Sequence, residues 1–164
     1  MNWIPNASAG TFSVAPSETA PEAEASPQVL ASGAVLVSCS GCSGGEEVGY
    51  IGGSAGGTLT FPAISSTVST TTSIRIHHTN GDSTQRYASV IVNGIGYVLA
   101  FLPTGGNVTP GTSVLTVPLN SGSSNTIEFE AYDGGWGESL PIPRDGSWLT
   151  EEAANIDRLM VPVS

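Results

Sequence analysis

Glu22-Ala23-Glu24 near the start of the chain and Asn155-Ile156-Asp157 near its end carry carboxylates at opposite ends of the sequence. A hard cation such as calcium needs several oxygen ligands at once. These acids point to one shared ion if the first and last strands of the fold are neighbours, and such an ion would clasp the chain ends together. A second chemical group is Ser38-Cys39-Ser40-Gly41-Cys42-Ser43. Zinc would need a further pair of ligands, and a thioredoxin-type site would need a following helix, which Ser43-Gly44-Gly45 disfavours. The pair Cys39 and Cys42 therefore reads as a small local disulfide. A third group is the stretch from Gly134 to Ala154, where Trp136 and Trp148 stand among Asp133, Glu138 and Asp145. Two carboxylates at a suitable distance can hydrolyse glycosides, but acids in a loop also keep it solvated, and no Ser-His-Asp or zinc-type motif accompanies them. Flat aromatic faces beside hydrogen-bonding groups suit the binding of a pyranose, which has an apolar C–H face and a rim of hydroxyls. Binding is the reading over catalysis.

Charge narrows the partners. The 164 residues include no Lys and only four Arg against fourteen Asp and Glu, a formal net charge of −10. Nucleic acids draw most of their affinity from Lys and Arg on phosphates, and Arg75, Arg86, Arg144 and Arg158 cannot build such a patch. Nucleic acid and anionic membrane surfaces are excluded as partners, whereas cations and neutral ligands suit an acidic surface. No segment approaches the ~20 apolar residues that span a bilayer. Met1-Asn2-Trp3-Ile4-Pro5 lacks the regions of a signal peptide, so an exported form is expected to be a mature chain or an excised module. Asn6-Ala7-Ser8 and Asn107-Val108-Thr109 have the form of N-glycosylation acceptors, which fits a secreted, extracellular location.

The elements that must position these groups are strands. Residues 1–19 are rich in Ala, Ser, Thr and Pro and read as a linker or the tail of a preceding segment, leaving 20–164 as one domain. Short alternating runs follow at 34–37, 47–51, 58–61, 73–77, 87–92, 96–101, 113–117, 126–131 and 156–161, most of them separated by Gly, Ser, Asn or Pro. The spacing predicts an all-β fold, a β-sandwich or jelly roll of nine or ten short antiparallel strands. In Asn125-Thr126-Ile127-Glu128-Phe129-Glu130-Ala131 the apolar residues share one face and the glutamates the other, so burial fixes the register. Glu151-Glu152-Ala153-Ala154 suggests an added helical turn.

The ordered series Glu22-Ala23-Glu24, Cys42 to Gly53, His77-His78-Thr79-Asn80-Gly81, Val92-Asn93-Gly94, Leu119 to Ile127 and Asn155-Ile156-Asp157-Arg158-Leu159 resembles a family 35 carbohydrate-binding module, over about residues 20 to 164. The resemblance implies a non-catalytic β-sandwich related to family 6 modules, of the fungal kind attached to galactose-active glycoside hydrolases. It implies structural calcium ligands at Glu22, Glu24 and Asp157. It also implies a sugar site at one end of the sandwich with Tyr50 and Asn155. Trp136, His78 and Asn80 join that site from position and chemistry. The expected partner is a polysaccharide or oligosaccharide containing galactose or a related cell-wall sugar, with a tethered catalytic domain. Two departures bear on the match: Pro21 replaces the aromatic residue that usually precedes Glu-x-Glu, and Gly137 to Ala154 is longer than the usual step into the final strand.

Each residue has a plainer reading too. Glu22 and Glu24 suit an edge strand, where charge discourages aggregation. Asp157 can pair with Arg158, His77 and His78 point to opposite faces of a strand, and Asn80-Gly81-Asp82 is a turn signal. A self-associating structural or adhesive extracellular β-protein is the alternative function, favoured by low charge density and by Ser, Thr and Gly content.

Overall fold

Ile127 and Phe129 are fully buried, while Glu128 and Glu130 on the opposite face remain partly open. The apolar face thus sets the register, as the alternation predicts. The computed structural model describes residues 17–67, 69–132 and 152–163. Among them eleven strands form: β1 (Ser17–Thr19), β2 (Val29–Ala31), β3 (Val35–Ser38), β4 (Glu46–Gly49), β5 (Thr58–Ser66), β6 (Thr70–Thr79), β7 (Arg86–Val92), β8 (Ile95–Phe101), β9 (Gly111–Leu119), β10 (Gly122–Ala131) and β11 (Asn155–Val163). All nine runs expected from the sequence are strands. The additional β1 and β2 are three residues each, too short to show alternation.

The strands make two antiparallel sheets, ordered β3-β4-β11-β6-β9, with β1 also on β11, and β2-β5-β10-β7-β8. Facing side chains of the two sheets form one core that includes Phe61, Phe101, Phe129, Ile74 and Ile76. Phe61 meets Phe129 edge-on, with ring centroids 6.1 Å apart. Each such side chain contributes roughly 1.5–3 kcal/mol by leaving water. The fold is the β-sandwich expected, and among the described residues no helix is long and apolar enough to cross a membrane.

β11 organises the acidic end of the molecule. One of its edges is taken by β6 from Asn155 to Met160. Its other edge is shared by three pieces: Val48 of β4 opposite Ile156, Glu22 opposite Arg158, and β1 opposite Val161 to Val163. The first and last strands are therefore neighbours, and Glu22-Ala23-Glu24 fills the gap in the ladder between β1 and β4. Ala23 N–H donates to Asp157 O at 2.8 Å, and Leu159 N–H donates to Pro21 O at 3.0 Å. Ser17–Thr19, within the stretch read as linker, are part of this sheet, and Glu18 forms an ion pair with Arg75.

At the entry to β11 the expected helical turn is absent among the described residues. Glu152 forms a β-bridge with Gly52, and Ala153 N–H donates to Ile51 O at 2.8 Å. Ala153 and Ala154 are buried. Small side chains here pack against the sheet end, and this burial overrides their helix propensity.

Candidate functional site

Two polar sites sit at this end of the sandwich, both rooted in β11. The first gathers Glu22, Glu24 and Asp157. Ser43, in the 3-10 turn Ser43–Gly45 that precedes β4, donates its hydroxyl to Glu22 Oε1 at 2.8 Å and its backbone N–H to Asp157 Oδ1 at 3.0 Å. Gly44 has φ +68°, a conformation that favours glycine, and a Cβ there would displace the Glu24 carboxylate, whose Oε1 lies against it. Arg158 lies 3.7 Å from Glu22 Oε1 and 3.8 Å from Asp157 Oδ2. Three carboxylates against one guanidinium leave two negative charges uncompensated.

Two oxygens of this pocket, Glu22 Oε2 and Glu24 Oε2, are buried with no hydrogen-bond partner. Buried acceptors left without partners are costly. Burial, aided by repulsion from Glu22, Asp157 and Glu46, raises the Glu24 carboxyl above its ordinary range against an opposing backbone hydrogen bond. Burial likewise raises Asp157, with Arg158 and the Ser43 N–H acting the other way. All donors are hard oxygens, the kind of ligand a calcium-type cation takes, but the carboxylate oxygens of Glu22, Glu24 and Asp157 do not all lie within 4.8 Å of one another. Among the described residues, the set of three Cys, His, Asp or Glu donor atoms within 4.8 Å of one another is Cys39, Cys42 and Glu47. It offers no thiolate, because Cys39 and Cys42 form the expected disulfide with Cα atoms 5.3 Å apart.

The second site is a cleft of about 260 Å³ between the β3–β4 hairpin, the turn after β6, the loop after β8 and the start of β11. Tyr50 stands at its rim, 53% exposed and held at φ 60°. At its floor Glu47, fully buried, accepts from Asn155 Nδ2 at 2.8 Å and from the Thr79 hydroxyl at 2.9 and 3.0 Å. The single Thr79 proton serves one Glu47 oxygen at a time. Burial raises the Glu47 carboxyl, while the Asn155 and Thr79 bonds work against that shift. Cys42 Sγ lies 3.4 Å from Glu47 Oε2; a disulfide sulfur carries no proton, so this is a packing contact. Arg86 adds a cation to the lining, held by Asp82 at 2.7 Å and by Ala153 O at 3.0 Å.

The structure brings Tyr50, Asn80 and Asn155 to this one cleft. Asn80 is 2% exposed, and its amide is spent on Thr84 O, Phe101 O and the Asp82 N–H. It holds the turn that walls the cleft, so the turn signal read from the sequence accounts for it. His78 does not line the cleft. It is 2% exposed, packed 4.8 Å from the Phe101 ring, and borders a separate cavity beside Thr104 and Thr112. Burial lowers its pKa. Trp136, with Trp148, lies outside the described residues. Sequence reasoning missed Glu47, Thr79, Arg86 and Glu152 as cleft residues. Adjacent Glu46 and Glu47 gave a signal, since successive strand residues face opposite ways and one of them must point inward.

Among curated proteins none matches the chain. A family model described as CBM13-like, alpha-galactosidase CBM13 domain, matches residues 58–135, which is less than half of the chain. Solved structures match more widely. An exo-β-1,3-galactanase from Phanerochaete chrysosporium, solved with galactose, is 33% identical with a TM-score of 0.73 over 93% of this chain and 31% of that one; the chain spans about a third of that enzyme. A family 35 carbohydrate-binding module from Clostridium thermocellum is 30% identical with a TM-score of 0.70, over 87% of this chain and 98% of that one. CBM35 from Paenibacillus barcinonensis shares the fold at 23% identity and a TM-score of 0.68, over 89% and 99%. The partial family-model match carries a different family number, but the match to the Clostridium module runs over nearly the whole of that module and over 87% of this chain. The chain belongs to the family 35 carbohydrate-binding modules.

Proposed function

We propose that this module binds neutral galactose-containing or related cell-wall glycans in the Tyr50–Asn155 cleft, without catalysis, and that calcium held by Glu22, Glu24 and Asp157 stabilises it. The observation that carries the reading is the cleft itself: an exposed aromatic ring at the rim, with a prearranged Asn155–Glu47–Thr79 hydrogen-bond group beneath it. A pyranose needs both, an apolar surface for its C–H face and fixed donors and acceptors for its hydroxyls. The likeness to a galactanase supports galactose among the candidate sugars, and supports a parent protein in which the module tethers a secreted glycoside hydrolase to its polymer. Calcium would supply the countercharge that the acid pocket lacks. Glu22, Glu24 and Asp157 would hold it, with Ser43 and Gly44 fixing the wall of the pocket. Single sugars offer few contacts, so affinity falls in the micromolar to millimolar class, about −8 to −4 kcal/mol. Tethering then raises the effective concentration of the enzyme at the polymer. A glycan array probed with and without calcium tests the reading: signal on galactose-containing glycans is expected, and a blank array in both conditions overturns it.

A further inference from the structure

The acceptor triplet Asn107-Val108-Thr109 lies in the turn between β8 and β9, and all three residues are exposed. Asn107 and Val108 line the same cleft as Tyr50 and Asn155. The Asn107 side chain lies against the turn after β6, where a Cβ on Gly81 would collide with Asn107 Oδ1. The acceptor amide is therefore part of the cleft wall.

We propose that Asn107 is an N-glycosylation site, and that its glycan covers the cleft and excludes external saccharide. The inference rests on the cleft reading above. In the modification, Asn107 Nδ2 attacks C1 of a lipid-diphosphate-linked oligosaccharide. The N–C1 bond forms, the bond from C1 to the phosphate oxygen breaks, and the amide proton leaves with the released lipid diphosphate; no oxidant or reductant is needed. Transfer to the growing chain does not require the folded turn, but the exposure of residues 107–109 lets the finished fold carry the bulk. A glycan tethered there is present at an effective concentration of about millimolar, which competes with a ligand of modest affinity when its own sugars bind at about millimolar strength, and its bulk at the cleft wall obstructs entry besides. Pro110 fixes the backbone directly after the triplet, so occupancy is expected to be partial and both glycoforms to occur in one preparation.

The test is to secrete the protein from a glycosylating eukaryotic host, pass it over a β-1,3-galactan gel, and map Asn107 in the flow-through and retained fractions by glycopeptide mass spectrometry. Peptide mapping separates it from Asn6. The Thr109→Ala variant, which removes the acceptor triplet and keeps Asn107, and unglycosylated protein from a bacterial host run alongside, with melting curves to check their fold. Glycosylated chains are expected in the flow-through, and unmodified, Thr109→Ala and bacterial chains in the retained fraction. Asn107 unmodified in every fraction, or both glycoforms retained equally, overturns the proposal. If the bacterial chain binds neither the galactan gel nor a glycan array, the cleft reading itself fails and the occlusion with it, whatever the occupancy of Asn107.

Discussion

The acid pocket and the cleft share β11, with Asp157 in one and Asn155 in the other, yet they are finished to opposite degrees. In the cleft, Glu47 is buried and has its donors in Asn155 and Thr79. In the pocket, Glu22 and Glu24 each keep a buried oxygen with no partner. A satisfied network is rigid and ready for a neutral ligand that exchanges hydrogen bonds with it. An unsatisfied one, with uncompensated negative charge, is the place where the proposed cation would act. Stability is expected to follow the pocket, and recognition the cleft.

The largest effect expected is on the pocket. At about a hundred times its Kd, calcium would stabilise the folded chain by about 2.7 kcal/mol, or about 5–11 °C in Tm for a chain of this size. Chelation removes that gain. Asp157→Asn keeps an acceptor for the Ser43 N–H but lacks the charge, so it lowers Tm in calcium by a similar amount and changes it little after chelation. Thermal melts in calcium and in chelator check this, and an equal loss in both conditions contradicts the clasp role of Asp157.

On the cleft, Asn155→Ala and Thr79→Val each deprive a buried carboxylate of a donor, at a cost of about 1–3 kcal/mol, and each should abolish retention on a galactan gel. Tyr50→Ala separates the two effects. Its ring is half-exposed, so stability moves by no more than about 0.5 kcal/mol, while affinity falls about tenfold, roughly 1.4 kcal/mol. Calorimetric titration with a galactose oligosaccharide reads the second number.

Protons sharpen the contrast further. Burial raises the Glu47 carboxyl in the folded state, so the folded chain holds that proton more tightly than the unfolded one. The contribution of Glu47 to stability is then greatest below the ordinary carboxylate range and declines as pH rises through its raised pKa. Glu47→Gln removes this decline. Denaturant unfolding across that window, in chelator, should show a flatter pH profile for the variant, and parallel profiles would assign the decline to the pocket acids instead.

Much of the fold was legible because burial imposes a two-residue period. Ile127 and Phe129 against Glu128 and Glu130 announce their faces, and the same logic located nine of the strands. The pocket acids were legible through short motifs that the family resemblance tied together. The cleft was less so. Glu47 and Asn155 are 108 residues apart, and strand alternation says only that one of Glu46 and Glu47 faces inward, not which one or against what, until the Cys39–Cys42 loop and Thr79 are folded over it. His78 and Asn80 show the converse: both are polar residues next to a turn, yet His78 packs beside Phe101 away from the cleft, while Asn80 lines the cleft and ties its turn to Thr84 and Phe101.

The smallest effect on recognition belongs to His78, and it separates neighbours. His78 and Thr79 are adjacent on β6, so their side chains leave the strand on opposite faces. The Thr79 hydroxyl reaches Glu47, whereas the His78 ring nitrogens make only long contacts, 3.5 Å to Ile76 O and 3.4 Å to Leu102 O. Little hydrogen-bond energy is at stake in contacts of that length. His78→Leu replaces a neutral buried ring with an apolar side chain of similar size, so stability should change by no more than about 1.5 kcal/mol, with retention on the galactan gel unchanged. Because Thr79→Val is expected to lose retention while altering fewer atoms, the pair isolates facing from bulk. If His78→Leu abolished retention with its Tm intact, the ligand would have to reach the cavity beside Thr104 and Thr112 as well as the cleft.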